Sequence, residues 1–212
     1  MTDLFHSSRI FKSILLLSAV LLFMQMQTSP KQTILFYGDS LTAGYGLSTK
    51  EAFPALIESE LKKGGKIVNV INAGLSGETS AGGLARIEWT LRQNVDVFVL
   101  ELGANDGLRG LPIDQTRKNL QGIIDKVKAK FPKVKIVLTG MMVPPNMGKE
   151  YSSEFKKVYP ELAARNKALL YPFLLEGVGG IEKLNQADGI HPNVEGHKII
   201  ANKLSAFLRD KI

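Results

Sequence analysis

From residue 31 onward, short β-rich runs alternate with segments whose apolar residues recur every three or four positions. Thr33-Ile34-Leu35-Phe36-Tyr37, Ile67–Ile71, Val95–Leu100 and Val134–Leu138 read as strands. The helical patterns between and after them run through Phe53, Leu56, Ile57 and Leu61, then Leu84, Ile87 and Leu91, then Ile113, Leu120, Ile123, Ile124 and Val127. A fourth runs through Phe155, Val158, Leu162 and Leu169, and a closing one through Ile199, Ile200, Leu204, Phe207 and Leu208. Gly64-Gly65 stops the first helix and Phe131-Pro132 the third. Leu170-Tyr171-Pro172-Phe173 reads as a short edge strand, because Pro172 has no N–H to give a central ladder. Such alternation demands a parallel sheet with helices on both faces, here an α/β chain with about five strands. In sheets of this kind ligands sit at the carboxyl ends of the strands, so the informative residues are those just after each strand.

The first 30 residues follow a different logic. Arg9 and Lys12 precede an apolar run from Ser13 to Met24. A basic flank ahead of such a run is the layout of a secretory signal. With Ile10-Phe11 and Gln25-Met26 the run approaches the ~20 residues that span a bilayer. No A-x-A-like cleavage site follows, so an uncleaved anchor that associates with the membrane through residues 10–26 stands beside the cleaved signal. Either reading exports the working domain to the periplasm or leaves it anchored facing the extracytoplasmic side. A buried core helix is the third reading. The expected division is residues 1–30 as signal peptide or membrane anchor and 31–212 as one folded domain, a partition that suits 212 residues.

Composition narrows the chemistry. There is no Cys, which removes disulfides, thiolate metal sites and Cys nucleophiles together. The formal charge is +7, but the Lys residues are spread over helix faces without an interleaved Arg or aromatic cluster. That pattern is a weak nucleic-acid signal, and no nucleic-acid partner is expected.

Four clusters fall at strand ends or near the C-terminus. They are Gly38-Asp39-Ser40-Leu41, Asn72–Ser80, Gly103-Ala104-Asn105-Asp106 and Asp188-Gly189-Ile190-His191-Pro192-Asn193. A serine hydroxyl becomes a nucleophile only when a neighbouring base takes its proton. Of three His, His6 precedes the apolar segment and His197 lies one turn into the last helix, which leaves His191 as the candidate base. Asp188, three residues earlier, can accept from the other ring nitrogen and stabilise the imidazolium as it forms. Ser40 on a strand-to-helix turn exposes its oxygen. The backbone N–H groups of Ser40 and Gly77 and the side-chain amide of Asn105 are the natural oxyanion donors. Asp39 and Asp106 read as structural supports, with Asp106 supporting Asn105. Glu78, Glu101 and Glu176 show no paired catalytic spacing. With His191 as base, the rate should rise through roughly pH 6–7, where an unperturbed His titrates.

At these residues the chain resembles the GDSL-type, or SGNH, hydrolases. Ser40 stands in Gly-Asp-Ser-Leu, Gly77 in Ser-Gly-Glu-Thr, Asn105 in Gly-Ala-Asn-Asp and His191 in Asp-x-x-His. The runs Glu101–Gly110 and Asp188–Asn193 are similar to the small bacterial esterase/thioesterase/lysophospholipase (arylesterase-like) subgroup. The resemblance implies a flavodoxin-like three-layer α/β/α fold, a Ser-Asp-His triad, and no metal or organic cofactor. It also implies short-to-medium acyl esters, thioesters and lysophospholipids as substrates. A monomer is expected.

Three rivals remain open. A metal phosphodiesterase would use Asp39, Asp106, Asp188 and His191 as ligands. A non-catalytic flavodoxin-like module would use Gly38–Gly46 as a phosphate cradle, though no Lys follows in P-loop spacing. A carbohydrate O-deacetylase would bring aromatic stacking platforms, and the single Trp, Trp89, lies in a predicted helix. Apolar residues near the strand ends, Leu75, Leu108, Met142, Val143 and Pro144, suit an acyl chain better. Asn105 as an αL turn residue and Ser40 as an N-cap are the bland readings of those two positions. Gly107–Pro112, with two Gly, is a candidate lid.

Overall fold

The computed structural model describes residues 31–212. The expectations for residues 1–30 lie outside the described residues. Five strands form one parallel sheet in the order β2-β1-β3-β4-β5: β1 Gln32–Gly38, β2 Val68–Gly74, β3 Val97–Glu101, β4 Lys135–Thr139 and β5 Leu169–Tyr171. Seven α-helices among the described residues connect or close them: α1 Ser40–Ala43, α2 Phe53–Lys63, α3 Ser80–Thr90, α4 Ala104–Leu108, α5 Ile113–Lys130, α6 Lys149–Asn166 and α7 Val194–Arg209. Helices α2 and α7 pack together, while α3, α5 and α6 form a second packed group, which completes the expected α/β/α layering.

The central strands explain themselves. Ile34 to Tyr37 of β1 and all of β3 are buried, because helices cover both faces of the sheet there. β2 lies at the edge, and its Val70 and Ile71 are only half-buried. The helix stops act as the sequence suggests: Gly64 caps α2 and the following Gly65 takes φ +82°. Phe131 ends α5, leaving the helical region (φ −126°, ψ 82°) before Pro132.

Two boundaries differ from expectation. The fourth apolar pattern runs on to Leu169, yet α6 ends at Asn166. Lys167 turns left-handed (φ 51°), and Leu169 belongs to β5. Here pairing with β4 (Val137 opposite Leu169) overrides the helical periodicity. Pro172 falls just outside β5 rather than within it.

The strand order reverses between β1 and β3. The chain leaves β1 for β2 on one side, then crosses over β1 to β3 on the other. The loops after β1 and β3 diverge there and leave a crevice at the carboxyl ends. Ser40 and Asn105 occupy those two loops.

Candidate active site

Ser40 is the first residue of α1, a single turn entered directly from β1. The N-cap is Asp39, not Ser40: Asp39 Oδ1 accepts from the N–H of Leu41 at 3.0 Å. This frees the Ser40 hydroxyl for other partners. Gly44 closes the turn in the left-handed region (φ 76°), with its N–H donating to the Ser40 carbonyl. The chain reverses within five residues, and the Ser40 side chain is left at the crevice floor.

His191 comes from the segment before α7. Its Nε2 lies 2.9 Å from Ser40 Oγ and its Nδ1 lies 2.6 Å from Asp188 Oδ2. The other carboxylate oxygen of Asp188, Oδ1, accepts from the backbone N–H groups of Ile190 and His191, each at 3.0 Å. Gly189 (φ 73°) supplies the backbone turn that lets one carboxylate meet both backbone and ring. The backbone N–H and ring of His191 hold the Asp188 carboxyl down to about 2. The ring is also fixed from its face by Tyr45, with centroids 4.6 Å apart. Gln186 ties the two loops together: its Nε2 donates to the carbonyls of Tyr45 (2.7 Å) and Pro192 (3.0 Å).

The candidate oxyanion donors converge beside Ser40. Gly77 takes φ 78°, and among the described residues neither its N–H nor that of Ser40 makes a hydrogen bond. Both residues line the crevice. Asn105 is helical, within α4, so it is not an αL turn residue. Its Nδ2 donates to Asp39 Oδ2 and to the Glu78 carbonyl, both at 3.1 Å. The amide is therefore held in place and must share one N–H with any oxyanion.

Asp106 has a different task from the one expected. It is buried and accepts from the Ser80 N–H (2.8 Å), the Ser80 hydroxyl (2.5 Å) and the Thr116 hydroxyl (3.2 Å), so it pins the starts of α3 and α5. Asp39 faces inward toward Glu101, and Glu78 pairs with Arg86. Among the described residues no group of three or more His, Asp or Glu side chains is placed to hold a metal ion. The four-ligand arrangement of the phosphodiesterase reading is absent, because Asp106 and Asp39 are turned to other partners. His197 is buried, and its Nδ1 accepts from the N–H of Phe53 at 3.0 Å, so it serves the core.

The crevice has a volume of about 550 Å³. Leu108, Met142, Val143 and Pro144 line it, as do Tyr45, Phe173, Leu175 and Ile190, which the sequence reading did not single out. Leu75 does not line it; it is exposed, one residue before Ser76, which does. Trp89 is 71% exposed on α3 beneath the Arg92 guanidinium and supplies no stacking surface to the crevice. Gly107–Pro112 is tied down by several bonds: Leu111 N–H to the Asp106 carbonyl, Tyr151 hydroxyl to the Leu111 carbonyl (2.8 Å), and Arg109 Nη2 to the Gly77 carbonyl (3.0 Å).

The missed residues had faint signals. Tyr45 is an aromatic between two turn glycines, and Glu101 is a charged residue closing an apolar strand. Gln186 had none, since its partners are distant in the chain.

The sequence matches the GDSL-like lipase/acylhydrolase family over residues 36–199. It is 43% identical to "Esterase TesA" of Pseudomonas aeruginosa over 182 residues, covering 85% of this chain and 90% of that protein. It is 37% identical to "Thioesterase 1/protease 1/lysophospholipase L1" of Escherichia coli K12 over 190 residues, covering 89% of each. The psychrotrophic esterase EstA from Pseudoalteromonas sp., solved with monoethylphosphonate as inhibitor, shares the fold with a TM-score of 0.80 and 32% identity. That match covers 85% of this chain and 98% of that one.

Proposed function

The chain belongs to the GDSL-like lipase/acylhydrolase family, and from that membership we propose how its own residues hydrolyse a carboxylic ester. The protein is a serine esterase that acts on small ester or lipid substrates. Ser40 Oγ attacks the acyl carbonyl while His191 Nε2 takes the hydroxyl proton. The carbonyl oxygen becomes an oxyanion, held by the N–H groups of Ser40 and Gly77 and by one N–H shared from Asn105. The imidazolium is stabilised by Asp188 and returns its proton to the leaving alkoxide or thiolate. The C–O or C–S bond breaks, and an acyl-serine remains. Water, deprotonated by the same ring, then attacks that ester; the tetrahedral intermediate collapses to free acid, and Ser40 recovers its proton.

The observation that carries this reading is the unbroken relay from Asp188 through His191 to Ser40, with contacts of 2.6 and 2.9 Å. The non-catalytic module has no use for such a relay. Substrates are short-to-medium acyl esters, with thioesters and lysophospholipids as further members of the class. The apolar wall formed by Leu108, Met142, Val143 and Pro144 beside Ser40 suits an acyl chain, and the crevice lies in the range of small-molecule sites, about 300–1,000 Å³. We further assign the working domain to the exported side of the membrane, on the basic-then-apolar pattern of residues 9–24.

A fluorophosphonate probe tests the proposal directly. Intact mass analysis should find one adduct, mapped to Ser40, and none in Ser40→Ala. The same variant should lose hydrolysis of p-nitrophenyl butyrate. Labelling that persists in the variant would overturn the assignment of the nucleophile.

A further inference from the structure

We propose that Glu101 is a positioning residue: it holds from below both the turn that carries Ser40 and, through Asp39, the amide of Asn105. This inference rests on the active-site reading above and adds to it a residue that touches neither substrate nor the reacting atoms.

Glu101 ends β3, directly opposite Gly38 at the end of β1. Its side chain is wholly buried and reaches under the nucleophile turn. Oε2 accepts from the Thr42 hydroxyl at 2.7 Å and from the Asp39 N–H at 3.3 Å. Those two residues flank Ser40 and Leu41. The reach depends on Gly38 having no side chain, since a Cβ there would stand 2.4 Å from Glu101 Oε2 and 2.2 Å from Thr42 Oγ1. Asp39 then spreads the support in two directions. Its Oδ1 caps α1 at Leu41, and its Oδ2 takes an N–H of Asn105. Nucleophile turn and oxyanion amide thus share one scaffold.

Two buried carboxyls side by side cannot both carry charge cheaply. Burial, reinforced by the Asp39 charge, holds Glu101 well above the carboxylate range. Asp39 is pushed up to about 6 by burial and is hydrogen-bonded to Glu101. The titratable groups facing this pair are His191 from the segment before α7 and Tyr159 from α6. Arg86 of α3 reaches the Gly38 carbonyl at 3.5 Å, but its charge is paired with Glu78. Glu101 is therefore assigned as the neutral member of the pair. Among the described residues its Oε1 is buried without a hydrogen-bond partner, a place where charge would be costly. Asp39 keeps its charge for the Leu41 N–H and the Asn105 amide.

A neutral acid can be replaced by an amide, whereas an ionised one cannot. In the full-length enzyme, Glu101→Gln should keep kcat for p-nitrophenyl butyrate within about threefold. Glu101→Leu should lower kcat about 100-fold, the scale of a misplacement near 1 Å, with KM nearly unchanged. The infrared spectrum at pH 7 should contain a carboxylic-acid C=O band that disappears in Glu101→Gln. A folded Glu101→Leu with full kcat overturns the proposal, as does a Glu101→Gln variant as impaired as Glu101→Leu. Should Glu101→Leu not fold, absence of the infrared band, or a tenfold loss in Glu101→Gln, overturns it alone. Fluorophosphonate labelling of the wild type keeps the two readings separate. An unlabelled wild type sinks the active-site reading itself, whereas a labelled wild type beside a fully active Glu101→Leu sinks only the role of Glu101.

Discussion

At Asp188 one carboxylate does three things: it accepts from two backbone N–H groups, orients a ring and supplies charge. Because its folded pKa is depressed, the stability it contributes is present above the ordinary Asp value near 4 and is lost as the pH falls through about 2. The carboxylate thus stays charged over the whole working range, and acid loss of activity above pH 4 does not originate there. Asp188→Asn keeps an acceptor for the backbone N–H groups but offers the ring a neutral partner. It should lower kcat by about 10⁴-fold, as loss of the triad acid does elsewhere. Steady-state hydrolysis of p-nitrophenyl butyrate by the folded variant measures this, and a loss under tenfold would contradict the assigned role.

At the scale of elements, a buried ring bonds α7 to the start of α2 within their packed interface. His197 accepts from the N–H of Phe53, the first residue of α2, and stacks on its ring at 5.9 Å. Burial lowers its pKa to about 4. A depressed folded pKa means that the contribution is present above the unfolded value near 6.5 and is lost as the pH falls through 4. Asp39 runs the other way: raised to about 6, it stabilises the fold while protonated, and that contribution is lost as the pH rises through 6. The two offset each other in the wild type, so only a difference isolates the histidine. The stability advantage of the wild type over His197→Gln should shrink on acidification from pH 6.5 to 4, by on the order of 3 kcal/mol. Urea unfolding at several pH values reads this, and a constant difference would refute it.

Among the described residues, four of the eight large exposed apolar side chains gather round one opening. Tyr45, Leu108, Met142 and Ile190 are exposed and line the crevice, although they come from four separate segments. A ring of this kind rewards a long acyl chain over a short one. Met142→Asp should raise KM for a p-nitrophenyl octanoate about tenfold, the worth of partly burying one such side chain, and leave the acetate unchanged. Equal effects on both esters would remove Met142 from the acyl site.

The alternation of β-rich and helical runs was enough to give a parallel sheet, because period and strand length are local properties. It also put Ser40, Gly77 and Asn105 just beyond strand ends, and the count of three His singled out His191. The register of Leu169, the inward turn of Asp39 and Asp106, the placement of Leu75 off the crevice and the support from Glu101 were decided only by tertiary structure. Each depends on which strands become neighbours. The bond from His191 to Ser40 closes a gap of 151 positions, and Glu101 reaches Thr42 only because β3 lies beside β1. Local periodicity specifies what each segment becomes; packing of the covered sheet specifies which segments meet.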